Sequence, residues 1–359
     1  MMDRVQYANI LYNTIIPSHL APNERSTAEK PLLDFIASNI PNALFRFRSC
    51  NERNIEAFYK DQVWVANGMS MNDGFETRLY FDIEKAQEWL NHSTGSSLAQ
   101  NAKDMASSSK SIPPEFASIP GVMEGFACFK MIPERAIETI ITEFGKYLRE
   151  DLVSEIRNII TETEKSLKFS CFCESISSPS MWGLYAENES GFALSYDFSH
   201  SPLTIEHPDG SRRELTIFPI VYNDKRFKVD IDYIKYQLYS ISIWKTMSKL
   251  GKQSVAKAFI DHIPCPDDLI PYKIAIHKSS EWETEREWRV FCRSTDTEFR
   301  YAHNGFYQMK PTGLYLGRRI SFINEKILTD IAKGKSIPVY KMGINDYSPN
   351  YDLSANRIM

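Results

Sequence analysis

Residues 281–293, EWETEREWRVFCR, constrain the fold more than any other stretch. Glutamates occupy alternate positions 281, 283, 285 and 287. On a helix, Trp282 and Trp288 would fall on different faces, and no apolar stripe forms. On a strand, side chains alternate between faces. Trp282, Trp288, Val290 and Cys292 then share one face, and Glu285, Glu287 and Arg289 share the other. The period therefore predicts a strand. Carboxylates crowded on one face repel unless a cation, a substrate or water lies between them. Two readings follow: a solvated edge, or the wall of a cleft.

A chain of 359 residues suits one elaborated domain better than several. The expected division is an N-terminal extension with a helix at 1–41, a single α+β catalytic-like domain at 42–345 and a C-terminal tail at 346–359. The domain would carry a flexible Ser-rich loop at 92–111 and helical insertions at 133–167 and 227–263. Residues 1–25 read as a surface segment. A helix is predicted over 27–40 with Thr27 as its cap, and strands over 42–49, 62–66, 169–173, 192–196, 219–222, 274–278, 288–292, 313–316 and 337–340. Ser49 and Glu52 fit a capping box that opens a helix to about residue 59. Short strands with inserted rather than alternating helices indicate an α+β fold.

Several chemistries have no footing in the sequence. A formal net charge of −4 argues against broad nucleic-acid binding, though a local basic groove stays open. Six cysteines form no paired C-x-x-C, and seven histidines form no H-x-x-x-H, so no structural zinc site is expected. Neither a P-loop nor G-x-G-x-x-G occurs. There is no signal-peptide layout and no apolar run of membrane-spanning length, so the expectation is a cytoplasmic protein that makes no membrane contact.

Two further features suggest a binding cleft. Arg46 and Arg48 share one face of the strand at 42–49, and arginine suits bidentate phosphate contacts. The alternative is that both arginines form structural ion pairs with acidic residues elsewhere. Trp182 and Tyr185 stand beside a polar turn at 187–191, where an aromatic pair can stack a flat ring. Burial in the core is the alternative.

Three blocks carry a family resemblance. ALFRFRSCNERNIEAFYKDQVWVANGMSMNDGFE, FSCFCESISSPSMWGLYAENESGFALSYD and SEWETEREWRVF, in that order, resemble a bacterial family known as domain of unknown function 2971. Gly74 and Met71 depart from its usual proline and phenylalanine. More distantly, the order of Arg46 or Arg48, residues 169–175, and Glu285-Arg286-Glu287 is similar to ADP-ribosyltransferases of the Arg–Ser–Glu type, although the middle block lacks S-T-S. That similarity implies a bent or split mixed sheet gripping NAD as substrate. Arg46 or Arg48 would bind pyrophosphate or ribose, with Ser170 on the middle strand. Trp182 or Tyr185 would stack on nicotinamide. Glu287 would stabilise the oxocarbenium-like charge, and Glu285 would deprotonate or orient an acceptor, either protein or nucleic acid. The resemblance also implies a role in bacterial conflict, such as antiphage defence or a toxin, with a partner protein an open question.

Two rivals remain. In one, Glu281, Glu283, Glu285 and Glu287 hold Mg²⁺ in a nuclease or phosphodiesterase, with Lys278 and Arg289 serving the phosphate. In the other, the cleft only recognises a nucleotide or a partner.

Overall fold

The computed structural model describes residues 2–86, 88, 152–199, 203–206, 212–249, 251, 253, 256–257, 260, 263–292, 305–349, 351 and 353–359. The loop expected at 92–111, and the first part of the helical insertion at 133–167, lie outside these residues.

The described chain opens with helices α1 (Arg4–Asn13) and α2 (Pro22–Asn39), then strand β1 (Leu44–Arg48), helix α3 (Glu52–Tyr59) and strand β2 (Gln62–Val65). Helix α4 (Leu152–Ser166), β3 (Phe169–Cys173), α5 (Pro179–Tyr185) and β4 (Phe192–Tyr196) follow. Next come β5 (Leu203–Glu206), β6 (Arg212–Pro219), β7 (Val221–Tyr222) and the long helix α6 (Ile231–Lys249). The last part holds α7 (Ile270–Ala275), β8 (His277–Lys278), a 3₁₀ turn (Ser280–Glu285) and β9 (Glu287–Cys292). It ends with β10 (Gly305–Gln308), β11 (Gly313–Leu316), α8 (Phe322–Lys335), β12 (Val339–Ile344) and β13 (Leu353–Arg357).

The fold is α+β, around a mixed nine-stranded sheet of order β13-β12-β11-β4-β1-β3-β9-β6-β5. Within this sheet, among the described residues, only β11 and β12 pair in parallel; outside it, β7 and β8 form a second parallel pair. The sheet is split at its middle. Strands β1 and β4 share five register pairs, from Leu44↔Tyr196 to Arg48↔Phe192, and β3 and β9 share five. Between β1 and β3 a single pair, Phe45↔Cys173, holds the ladder. The backbone groups freed along this seam need other partners. The Trp64 carbonyl of β2 supplies one for the side chains at the seam. It accepts from Arg46 Nη2 at 2.7 Å and from Ser170 Oγ at 2.9 Å, and so spans the two halves.

Alternation on β1 sends its side chains into two cores. Leu44 joins the main cluster with Phe169, Phe192, Trp288 and Val290. Phe45 and Phe47 join a second with Met181 and Trp182. A third gathers Ile159 of α4 with Tyr233, Ile234 and Leu238 of α6. Each large apolar side chain fully removed from water contributes roughly 1.5–3 kcal/mol.

Several local expectations are corrected. Residues 1–25 do not drape over the surface: α1 is capped by Asp3 and buries Tyr7 and Leu11 completely in the main core. Thr27 is not a cap, because α2 starts at Pro22, and the Thr27 hydroxyl donates back to Asn23 O. Proline at the first helical turn forfeits no hydrogen bond, which favours the earlier start. Helix α3 is capped by Asn51 rather than Ser49. Residues 270–275 are helical, and only His277–Lys278 of the strand expected at 274–278 is extended. The segment expected as a tail supplies β13, paired with β12.

The strand expected over 281–293 begins later. Ser279 caps a 3₁₀ turn through Glu285, and Arg286 takes the left-handed conformation at φ 44°. Trp282 therefore does not share a strand face with Trp288. The glutamate period runs through a turn into a strand, because the Ser279 hydroxyl offers the Glu281 N–H a local partner that competes with a ladder.

Candidate functional site

A cavity of about 180 Å³ opens at the split. Arg46 and Arg48 of β1 line one side, and Ser170 and Cys171 of β3 the other. Tyr185 of α5, Asn72 and Glu76 of the loop after β2, and Lys278, Glu285 and Glu287 complete it. Residues as far apart in sequence as Arg46 and Lys278, 232 positions, meet here because β1 and β3 are neighbours and β9 pairs β3.

The carboxylates form neither a solvated edge nor an empty acidic wall. Glu285 and Glu287 are 4% and 5% exposed, and Arg289 is fully buried. Lys278 Nζ lies 2.6 Å from Glu285, 2.9 Å from Glu76 and 3.3 Å from Glu287. Arg289 Nε meets Glu287 at 2.7 Å, and its Nη2 meets Glu76 at 2.9 Å. The remaining Arg289 nitrogen donates to Ala275 O, and the guanidinium sits 4.5 Å from the Phe169 ring centre. Three carboxylates thus share two cations, leaving one net negative charge. Glu281 and Glu283 are exposed and stand outside this cluster.

The two catalytic candidates are in different electrostatic states. Burial works against charge on Glu287, but Arg289 and Lys278 outweigh it and hold the carboxyl at about 2. Burial prevails at Glu285 and raises it above the ordinary carboxylate range, against the pull of Lys278 and Tyr185. Tyr185 donates to Glu285 at 2.6 Å and accepts from Asn72 Nδ2 at 2.8 Å. Burial, then Glu285, push the Tyr185 phenol up, so it stays a donor. Adjacent carboxyls with opposed shifts are a common arrangement of acid–base sites.

The structure brings together Arg46, Arg48, Ser170, Tyr185, Glu285 and Glu287. Trp182 does not join them. Its ring is fully buried, meets Phe47 edge-on at 5.1 Å, and donates from Nε1 to Ile176 O at 2.7 Å. It is a core residue, as apolar residues on the inner side of a helix usually are. Arg48 donates from Nη1 to the Phe47 carbonyl at 2.8 Å. Arg46 is different. Its Nε and Nη1 are buried and have no hydrogen-bond partner among the described residues, and burial lowers its pKa. Such nitrogens are costly unless an acceptor reaches them.

Sequence reasoning missed Glu76 and the centrality of Lys278. A signal existed: four alternating glutamates need cations, and Lys278 stands three residues before the first of them. Glu76 carried no local signal, since its partners are some 200 residues away.

Among the described residues, no group of three or more His, Cys, Asp or Glu is placed to hold a metal ion. None of the helices searched is long and apolar enough to cross a membrane. No curated protein and no solved structure matches the chain. A family model described as a protein of unknown function (DUF2971) matches residues 181–290, which hold Tyr185, Lys278, Glu285, Glu287 and Arg289 but neither Arg46 nor Glu76.

Proposed function

We propose that the cleft binds NAD by its nicotinamide–ribose end and transfers ADP-ribose to an acceptor. The observation that carries this reading is the pairing of an arginine with two unmet buried N–H groups on one side of the split with two carboxyls of opposed character near the other. A phosphate oxygen suits Arg46 Nε and Nη1, since a guanidinium offers a fork of parallel donors. The cavity is smaller than the roughly 300–1,000 Å³ that encloses a drug-sized ligand, so it would hold the reacting end while the adenosine end lies outside.

In the reaction, the bond between ribose C1′ and the nicotinamide ring nitrogen breaks, and its electron pair leaves with neutral nicotinamide. Positive charge develops on the ribose. Glu287, ionised at any physiological pH, is a fixed negative charge for that transition state. The acceptor's nucleophile bonds to C1′, and its proton passes to the Glu285 carboxylate. A carboxyl with a raised pKa is the better base near neutral pH. Tyr185 and Lys278 hold that carboxylate in place from two sides. A Mg²⁺ reading is less well supported, because Lys278 and Arg289 already pair with Glu285 and Glu287, and Glu281 and Glu283 stand outside the cluster. A role in bacterial conflict follows only from such an activity.

One observation favours a second reading, a nucleotide-binding module without catalysis: both Glu287 oxygens are already engaged by Arg289 and Lys278. One experiment separates the two. Purified protein is incubated with NAD without divalent metal, and nicotinamide release is followed beside Glu287→Gln. Release by the wild type, lost in the variant, is the expected result. NAD binding without release supports the module, and neither binding nor release ends both readings.

A further inference from the structure

A second cavity, of about 230 Å³, lies against the first. Lys278 lines both. The loop after β2 also serves both, since Asn72 and Glu76 line the first while Asp73, Phe75 and Arg78 line the second. Thr77, between Glu76 and Arg78, is fully buried and left-handed at φ 57°. That conformation is costly for a β-branched residue and persists only where packing imposes it. Gly68 makes room for it: an added Cβ would sit 1.5 Å from the Thr77 hydroxyl, so glycine lets the segments pack this closely. The strain allows near-consecutive side chains to serve adjacent cavities.

The second cavity is basic and aromatic. Arg78, Lys225 and Arg226 line it, against Asp73 and Asp224. Both aspartates are engaged, one by the Phe75 N–H and the other by the Ser280 hydroxyl. The three cations are much less compensated. Among the described residues, Arg226 donates only to the carbonyls of Arg78 and Leu79, and Arg78 comes no nearer to a carboxylate than 3.9 Å, at Glu164. Among the described residues Lys225 has no ion-pair partner. Burial and the like charge of Arg78 both work against the charge on Arg226. The Arg226 guanidinium lies 5.7 Å from the Phe75 ring centre and 5.1 Å from that of Tyr80. Yet Phe75 is 66% exposed and Tyr80 43% exposed.

We infer that this cavity binds one nucleotide of a single-stranded nucleic acid, with a base on Phe75 and backbone phosphate between Arg78, Lys225 and Arg226. Resting on the reading above, it is then the acceptor site, which opens beside Lys278 and the carboxyl held by it. Exposed aromatic faces flanked by arginine and lysine in excess of the local carboxylates are what an unstacked base and its phosphate recognise. A duplex presents no free base face, and the overall charge of −4 supplies no broad electrostatic attraction to one.

The test is fluorescence anisotropy of a labelled uridine oligonucleotide, about twelve nucleotides long, with the full chain and without NAD; a strand of that length spans the ~4–16 nucleotides of common single-strand sites. Phe75→Ala is expected to weaken binding about tenfold, in line with base–aromatic stacking. Arg78→Gln with Lys225→Gln is expected to flatten the dependence of log affinity on log salt by roughly one to two, at about 0.7 per phosphate contact. Neither variant touches the first cavity's carboxyls, and a thermal melt matching the wild type serves as the fold control. The inference is overturned if the wild type does not bind, or if both variants bind like the wild type. It is also overturned if a duplex or poly-glutamate competes as well as the single strand. Binding needs no NAD, so loss of NAD cleavage with binding intact counts against the proposed reaction and not against this site.

Discussion

Lys278→Met removes the cation shared by Glu76, Glu285 and Glu287 and keeps an unbranched apolar stem. The structure sets the magnitude. The ammonium lies 2.6, 2.9 and 3.3 Å from three carboxylates and is 2% exposed. At an effective dielectric near 20, one such pair at about 4 Å is worth about 4 kcal/mol before desolvation. Removing the lysine also removes its own desolvation cost, so breaking a buried cluster of this kind costs about 3–5 kcal/mol net. With a urea dependence of about 3 kcal/mol per M at this size, the unfolding midpoint falls by roughly 1–2 M. The loss has a pH signature. Without Lys278 the Glu285 carboxyl, which burial already raises, holds its proton still more tightly in the folded than in the unfolded state, so the folded variant binds more protons and gains stability as pH falls. Urea transitions followed by tryptophan fluorescence at about pH 8 and about pH 5 check this, with the gap to the wild type narrowing at the lower pH. A midpoint change below about 0.3 M, or one equal at both pH values, would refute the account of Lys278 as the neutralising centre.

Two further outcomes follow from the same site. Arg46→Met is expected to leave the stability of the ligand-free protein within about 1 kcal/mol of the wild type, because two unmet buried N–H groups disappear together with the Nη2 bond to the Trp64 carbonyl, which Ser170 still satisfies, while NAD affinity by calorimetry drops at least about tenfold. For nicotinamide transfer, kcat/KM is expected to fall on the acid side as Glu285 takes up a proton, at a pH above the ordinary carboxylate range; Tyr185→Phe removes a hydrogen bond that favours the charged form, so it moves that limb higher, and Glu285→Gln abolishes it.

Local patterns made much of the fold legible. Alternation in residues 44–48 and 192–196 gave β1 and β4 within a residue or two, and the polar turn before Phe192 was visible from its composition. The first helix was missed because its apolar positions, Tyr7 and Leu11, are buried by a long-range partner surface rather than by a strong local stripe. Glu285 and Glu287 were placed together for a reason that only half survives. They do converge, but through a 3₁₀ turn and a left-handed Arg286 feeding a strand, not through one strand face. Trp182 and Tyr185 looked equivalent in sequence, and one helix separates them: Trp182 is in the core and Tyr185 on the cavity. Glu76 depends on tertiary pairing alone, for which a single sequence carries no periodic signal.

The placement of Tyr185 depends on the turn that follows it. Glu187, Asn188 and Glu189 are all left-handed, at φ 52°, 52° and 68°. None is glycine, so the conformation must be imposed from outside. Arg318 grips Glu189 through Nε at 2.7 Å and Nη2 at 3.2 Å, and the Arg319 N–H donates to Glu189 O at 2.9 Å. Gly191 closes the turn by donating to Ala186 O at 2.8 Å. A Cβ there would lie 2.2 Å from the carbonyl oxygen of Arg48, a backbone atom of β1 that cannot swing aside. Gly191→Ala must therefore push the turn off β1, at a cost of about 1–3 kcal/mol by analogy with overpacked cores, and draw the Tyr185 hydroxyl away from Glu285. Gly183 is the control: it sits inside α5 with open space around its Cα, so Gly183→Ala is expected to stabilise by roughly 0.5–1 kcal/mol through helix propensity. Thermal melts should move in opposite directions for the two variants. Only Gly191→Ala should shift the acid limb of the pH profile upward, as Tyr185→Phe does. If Gly191→Ala melts with the wild type and keeps its pH profile, the turn does not position Tyr185, and α5 alone must hold the hydroxyl on Glu285.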